Sequence, residues 1–137
     1  MADAPAQTPR ILVVEDEALV RIVLTETLED LGFRVEPAGS ATEAIDRLQG
    51  LRGRVDAVIL DVGLPDRRGD VLATELRALY ADLPIVIATG YDDAALRERF
   101  RDDRLIAFFA KPYNSADLAP VLKSLGVRDP GEHFSAP

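Results

Sequence analysis

DAVILDVGLPD, residues 56–66, holds the pattern that decides the fold. Val58, Ile59 and Leu60 read as a buried strand. The run ends in Asp61, and Gly63, Leu64 and Pro65 turn the chain immediately afterwards. A continuously apolar strand of this length is expected where helices cover both faces of a sheet. A lone acid at its tip is, on its own, a turn or capping residue as readily as a ligand.

The flanking sequence repeats the theme. ILVV (11–14) is a short apolar strand followed by Glu15-Asp16-Glu17. Val20, Val23, Leu24, Leu28 and Leu31 follow at helical spacing, with Gly32 as the stop. FRVEPA (33–38) alternates more and reads as an edge strand. Ser40 and Glu43 are spaced as a capping box for a helix carrying Ala44, Ile45 and Leu48 inward, closed by Gly50. Beyond the opening stretch, Leu72, Leu76 and Leu79 mark a third helix, and Pro84–Ala88 a fourth strand. DDAALRERFRDD (92–103) reads as a short, charged and mostly solvent-facing helix, lightly anchored by Leu96 and Phe100. LIAFFA (105–110) is the fifth strand, and Leu118, Val121, Leu122 and Leu125 mark the last helix. Pro120 inside that pattern predicts either a late start near Asp117 or a kink.

Strands alternating with helical patterns imply parallel pairing through right-handed crossovers. The predicted fold is therefore α/β: a doubly wound five-stranded parallel sheet with helices on both faces. Residues 10–126 form one domain in this reading, with a flexible N-terminal tail at 1–9 and a C-terminal tail at 127–137, the latter too short for an output domain.

Composition narrows the chemistry. The chain has 137 residues, 47% hydrophobic and 29% charged, enough for one domain with a core. A net charge of −8 argues against nucleic-acid binding. There is no cysteine, and the one histidine, His133, lies in the C-terminal tail. Thiolate sites, disulfides and histidine-dependent catalysis are excluded or disfavoured. The first residues lack an apolar targeting segment, and no apolar run approaches the ~18 residues of a membrane span. The expectation is a cytoplasmic protein without membrane insertion.

In open α/β sheets, ligands bind beyond the carboxyl ends of the strands at the switch in strand order. There the sequence places Glu15 and Asp16 after strand one, Asp61 on strand three, Thr89 on strand four and Lys111 after strand five. Any one of these alone could be a cap or a solvated charge. Together they are costly: two unit charges ~5 Å apart repel by roughly 3 kcal/mol at an effective dielectric near 20. Lys111 offsets one negative charge, and a divalent cation suits the rest. All-oxygen ligands with water access favour Mg²⁺ or Mn²⁺ over Zn²⁺. A phosphoryl group at Asp61 would meet the ion, the Lys111 ammonium and the Thr89 hydroxyl, with Asp61 as nucleophile.

With these residues placed, the chain resembles the receiver domain of two-component response regulators, a CheY-like fold, from about Ile11 to Leu125. The family's acidic pair resembles Glu15-Asp16, and its phosphoacceptor resembles Asp61, followed by a Leu-Pro turn and Gly69. Its switch hydroxyl resembles Thr89, and its lysine with a following cis-proline resembles Lys111-Pro112. The resemblance implies the flavodoxin-like strand order 2-1-3-4-5. It also implies a metal held by the side chains of Asp16 and Asp61 and the carbonyl of Gly63, with Glu15 acting through water. The implied partner is a histidine kinase or histidine phosphotransfer protein, and the readout a further protein or a relayed phosphoryl group. The protein is expected to be a phosphoacceptor rather than an enzyme, and a monomer, with a weak dimer as the alternative.

Two positions depart from the common pattern. Phe108, three residues before Lys111, is a rotamer switch or plain core. The loop Ala88-Thr89-Gly90-Tyr91 resembles an atypical receiver group with a Phe-Ala-Thr-Gly-Tyr-like motif, with Ile87 in place of the first Phe. In that group Thr89, Gly90 and Tyr91 would carry the conformational response. Two other classes compete. A haloacid-dehalogenase-type phosphatase needs an acid two residues after the nucleophile, where Gly63 stands. A flavodoxin-like cofactor binder needs a phosphate loop after strand one, where three acids stand.

Overall fold

The apolar runs form β1 (Arg10–Val14), β2 (Arg34–Ala38), β3 (Ala57–Asp61), β4 (Ile85–Thr89) and β5 (Ile106–Ala110). Between and after them lie α1 (Ala18–Asp30), α2 (Ala41–Gly50), α3 (Gly69–Leu79), α4 (Ala94–Arg99) and α5 (Ser115–Ser124). The computed structural model describes residues 8–90, 94–111 and 114–130. Every strand pair is parallel, and the order is β2-β1-β3-β4-β5, as the resemblance implied.

Alternate strand residues face opposite sides. Leu12, Val14, Val58, Leu60, Ile85 and Ile87 meet Ala44 and Leu48 of α2 and Leu72 and Leu76 of α3. Ile11, Val13, Ile59 and Val86 meet Leu24 and Leu28 of α1 and Leu118 and Leu122 of α5. The central strands are apolar on both faces because both are covered. Pro37, which cannot donate to a ladder, sits in β2, an edge strand paired only with β1.

Several expectations need correction. Val23 and Leu79, part of the apolar spacing that marked the first and third helices, are both 59% exposed. On α1 the buried residues are Leu24 and Leu28, a narrower stripe than the spacing suggested. After α3 the chain leaves the helix at Tyr80 in extended conformation. Leu83 belongs to the core beyond that turn, and Tyr80 packs against it. Helix α5 starts at Ser115, earlier than expected, because Asn114 Oδ1 accepts from Ala116 N at 2.9 Å and caps it. Pro120 remains inside the helix on an exposed position.

The packed unit is also longer than 10–126. Pro9 is buried, and its carbonyl accepts from Arg34 N at 2.9 Å. Val127 joins the α1/α5 core, and Pro130 is buried over Gly32. Gly32 ends α1 at φ 103°, and a Cβ there would stand 2.8 Å from the Pro130 ring. Isolated apolar residues at chain ends carry no periodicity, so the pattern does not reveal their packing. Among the described residues no helix is long and apolar enough to cross a membrane.

Candidate functional site

Chain direction and strand order bring the predicted residues to one rim. From β1 the chain crosses to β2 on one side of the sheet, then returns to β3 on the other. No crossover covers the gap between the carboxyl ends of β1 and β3. Glu15 and Asp16 leave β1 at that gap, and Asp61 is the last residue of β3. One carboxylate oxygen from each of Glu15, Asp16 and Asp61 lies within 4.8 Å of the others. Asp61 pairs with Ala88 across the sheet, so Thr89 stands one residue further along the adjoining strand. Lys111 follows β5, and its N–H donates to the Thr89 carbonyl at 3.0 Å.

The charges meet at this rim. Lys111 Nζ donates to Asp61 Oδ1 at 3.1 Å and lies 3.7 Å from Glu15 Oε1. Burial pushes the Lys111 ammonium down, but the hydrogen bond and charge of Asp61, with the charge of Glu15, outweigh it and hold the group above its ordinary value. Glu15 is 1% exposed. Its Oε2 accepts from Glu17 N at 3.2 Å, while Oε1 is buried without a hydrogen-bond donor. Burial pushes the Glu15 carboxyl up, and the nearby Asp61 and Asp16 charges add to that; the Glu17 N–H and Lys111 oppose it. Three acids face one ammonium, and a buried carboxylate oxygen lacks a hydrogen-bond donor. This donor set fits a hard divalent cation.

Three further residues, which the sequence reading did not single out as positioning groups, hold the site loops. Arg21 on α1 donates from Nη1 to the carbonyl of Glu15 at 2.7 Å. A Cβ on Gly39 would stand 3.3 Å from that nitrogen, so the glycine leaves the guanidinium room. Asp66, five residues after Asp61, reaches across to α2. Its Oδ1 accepts from Ala41 N at 3.0 Å, and its Oδ2 from Thr42 N and Oγ1, both at 2.8 Å. The first N–H groups of a helix have no partner within it, and Asp66 satisfies two of them. Burial pushes the Asp66 carboxyl up, but those donors outweigh it and hold it far below its ordinary value. Gly69 donates to Val62 O at 2.7 Å, and a Cβ there would collide with the Asp61 carbonyl. Only glycine allows that approach, which the sequence showed as a glycine without showing its neighbour.

The remaining candidates divide. Gly63 is exposed, and a side chain there would begin 3.7 Å from Asp61 Oδ2, so glycine leaves one approach to the carboxylate open. Thr89 is 6% exposed at the end of β4, and Gly90 is exposed beyond it. Phe108 is half-buried. Its ring lies 6.4 Å from that of Phe100, and the Arg97 guanidinium stands 5.1 Å over it. Tyr91 and Pro112 lie outside the described residues.

This arrangement has relatives. The family pattern of the response regulator receiver domain matches residues 11–123. The transcriptional regulatory protein PdtaR of Mycobacterium tuberculosis is 38% identical over 123 residues, 88% of this chain and 58% of that protein. The sensor kinase CckA of Brucella abortus is 33% identical over 115 residues, 84% of this chain and 12% of that protein. The chain therefore spans less than two thirds of either relative. Among solved structures, the response regulator TrrA of Thermotoga maritima in complex with Mg²⁺-BeF is 30% identical with a TM-score of 0.69, covering 86% of this chain and 99% of its own. The receiver domain of a hybrid histidine kinase CckA is 30% identical with a TM-score of 0.71, covering 85% of this chain and 98% of its own.

Proposed function

This chain belongs to the response regulator receiver domain family of two-component signalling, and from that premise we propose that it is phosphorylated on Asp61 by a histidine kinase or histidine phosphotransfer protein. The observation that carries the reading is the 3.1 Å contact of Lys111 Nζ with Asp61 Oδ1 inside the acidic cluster. Asp61 is a nucleophile held rigidly at a strand end, beside the cation that will meet the incoming charge.

In this mechanism an Asp61 carboxylate oxygen attacks the phosphorus of a phosphohistidine. The new P–O bond forms as the P–N bond breaks, and the imidazole leaves with that electron pair. The Lys111 ammonium offsets the charge gathering on the phosphoryl oxygens, and the Thr89 hydroxyl would turn toward them. Asp16, Asp61 and the Gly63 carbonyl would hold a Mg²⁺ or Mn²⁺, with Glu15 acting through water, and the ion supplies further charge neutralisation when bound. The chain acts as a phosphoacceptor that assists its own modification, not as an enzyme turning over a separate substrate.

A docking surface for the donor adjoins the site. Leu19, Ile22 and Val23 on α1 are 78%, 50% and 59% exposed. They lie in the first two turns of the helix that follows the acidic pair. An exposed apolar group of this kind offers a partner protein a foothold. The phosphorylated domain then regulates another protein in the cytoplasm or passes the phosphoryl group on.

Acetyl phosphate with Mg²⁺ tests the reading. Intact-mass analysis should show one phosphoryl adduct in the wild type and none in Asp61→Asn. An equal adduct in Asp61→Asn, or none in the folded wild type, refutes it.

A further inference from the structure

Asp70, in the first turn of α3, is 6% exposed, and the phosphoacceptor chemistry does not use it. Both of its carboxylate oxygens are engaged. Oδ1 accepts from Arg68 Nε at 2.9 Å and Oδ2 from Arg99 Nη1 at 2.6 Å. Arg99 is the last residue of α4. Its Nη2 donates to Thr74 Oγ1 at 3.0 Å, and that hydroxyl donates to the Asp70 carbonyl at 3.1 Å. The same guanidinium stands 5.2 Å over the Phe100 ring, which in turn leans on Phe108 of β5. A buried carboxylate must have its charge met, and a forked guanidinium can meet two acceptors at once. The result is one continuous network across α3, α4 and β5.

The network is tied at its other end to the phosphoacceptor loop. Asp70 follows Gly69, which is bonded to Val62 and pressed against the Asp61 backbone. The loop thus sets the place of Asp70, and Asp70 sets the place of Arg99. Helix α4 has a further tie in the Arg97 guanidinium, 5.1 Å over the Phe108 ring. The helix is six residues long, with Leu96 buried and Phe100 half-buried beside it. A helix this short does not sustain itself without such ties.

We infer that the Arg99–Asp70–Thr74 network is a charged latch that holds α4 in its unphosphorylated position and opposes the phosphorylated state. The inference rests on the reading of Asp61 as the phosphoacceptor. A contact made in only one of two states biases the equilibrium toward that state. A ligand that binds the other state then binds more weakly, its apparent affinity scaled down by the fraction of molecules already in that state. The latch therefore sets how readily phosphorylation at Asp61 exposes the altered α4 face to a partner.

The test titrates the whole chain with beryllofluoride and Mg²⁺, followed by amide NMR, in the wild type, Arg99→Gln and Thr74→Val. Arg99→Gln should bind roughly fivefold tighter, the factor expected from losing a partly exposed ion pair made in one state only. Its α4 amides should lie part-way to their bound positions before the probe is added. Thr74→Val keeps the side-chain volume but removes one acceptor, and should shift affinity the same way by less. Unchanged or weaker binding in both variants, with normal binding in the wild type, overturns the latch alone. A folded wild type that binds no beryllofluoride overturns the Asp61 reading and the latch with it.

Discussion

At the α2 end of the rim, Asp66 accepts from two backbone N–H groups, and Arg21 donates to a backbone carbonyl of the acidic loop. At the α4 end the ties run from side chain to side chain, through Arg99 to Asp70 and Thr74 and through Arg97 to Phe108. The two kinds of tie break differently. Backbone groups at a helix start or strand end have few other partners and cannot rotate away. Arginine side chains can, and the Arg99 side chain is 45% exposed, so water competes for it. The loops that carry Glu15, Asp16 and Asp61 are thus tied through backbone groups, while the ties of α4 to its neighbours run through side chains that can swing away.

Gly69→Ala attacks the fixed side most directly. Its new methyl group has no space against the Asp61 carbonyl. The expected loss is about 3 kcal/mol in denaturant unfolding, with Asp61 displaced. A neutral result would show that the loop after Asp61 has slack. Asp66→Ala comes next. Removing the carboxylate leaves the N–H groups of Ala41 and Thr42 without their partner, at a cost of about 1–2 kcal/mol. Asp66→Asn, which keeps one acceptor oxygen, should lose less, and an equal loss would mean that the cap is not what matters.

Acid should separate the two ends. Besides Asp66, the Glu43 carboxyl is held below its ordinary 4.5, first by the N–H of Gly39 and then by Arg47 and Arg21, against a smaller opposing effect of burial. Groups held low in the folded state contribute stability that is complete above their unfolded values and is lost as pH falls through their folded ones. Those unfolded values are 4.5 for Glu43 and 3.8 for Asp66, so the losses lie below them. The urea midpoint should fall as pH drops below 4.5, and Asp66→Ala should flatten the part of that fall below 3.8. An unchanged slope in Asp66→Ala would remove Asp66 from the account. The smallest effect is expected from Arg97→Gln, which loses the guanidinium over Phe108. A melt should register about 0.5 kcal/mol or less, and a larger loss would make α4 more firmly held than proposed.

Much of this was legible in order along the chain. Apolar runs marked all five strands, and the residues just past them named the rim. The capping box at Ser40 was legible too, although Glu43 turns its carboxylate to Gly39 N at 2.8 Å rather than to Ser40 N. What stayed hidden were ties between distant positions. Asp66 follows a proline and reads as a turn residue, while its partners lie 24 and 25 positions earlier. Arg99 and Asp70 are 29 apart, each ordinary in a charged helix. The exposed group of Leu19, Ile22 and Val23 was hidden differently. Its residues look like core by type, and Val23 even has the right spacing.

By itself, then, the sequence determined the order of elements, the faces of the strands and the residue types at their carboxyl ends. Each depends on neighbours within a few residues, through periods of 2 and 3.6 and through turn chemistry. Only the tertiary structure decided which acid meets which cation and which loop caps which helix. Those choices depend on the strand order, which sets residues dozens of positions apart side by side at the rim. There a carboxylate's partner is whichever donor the neighbouring loop brings within about 3 Å.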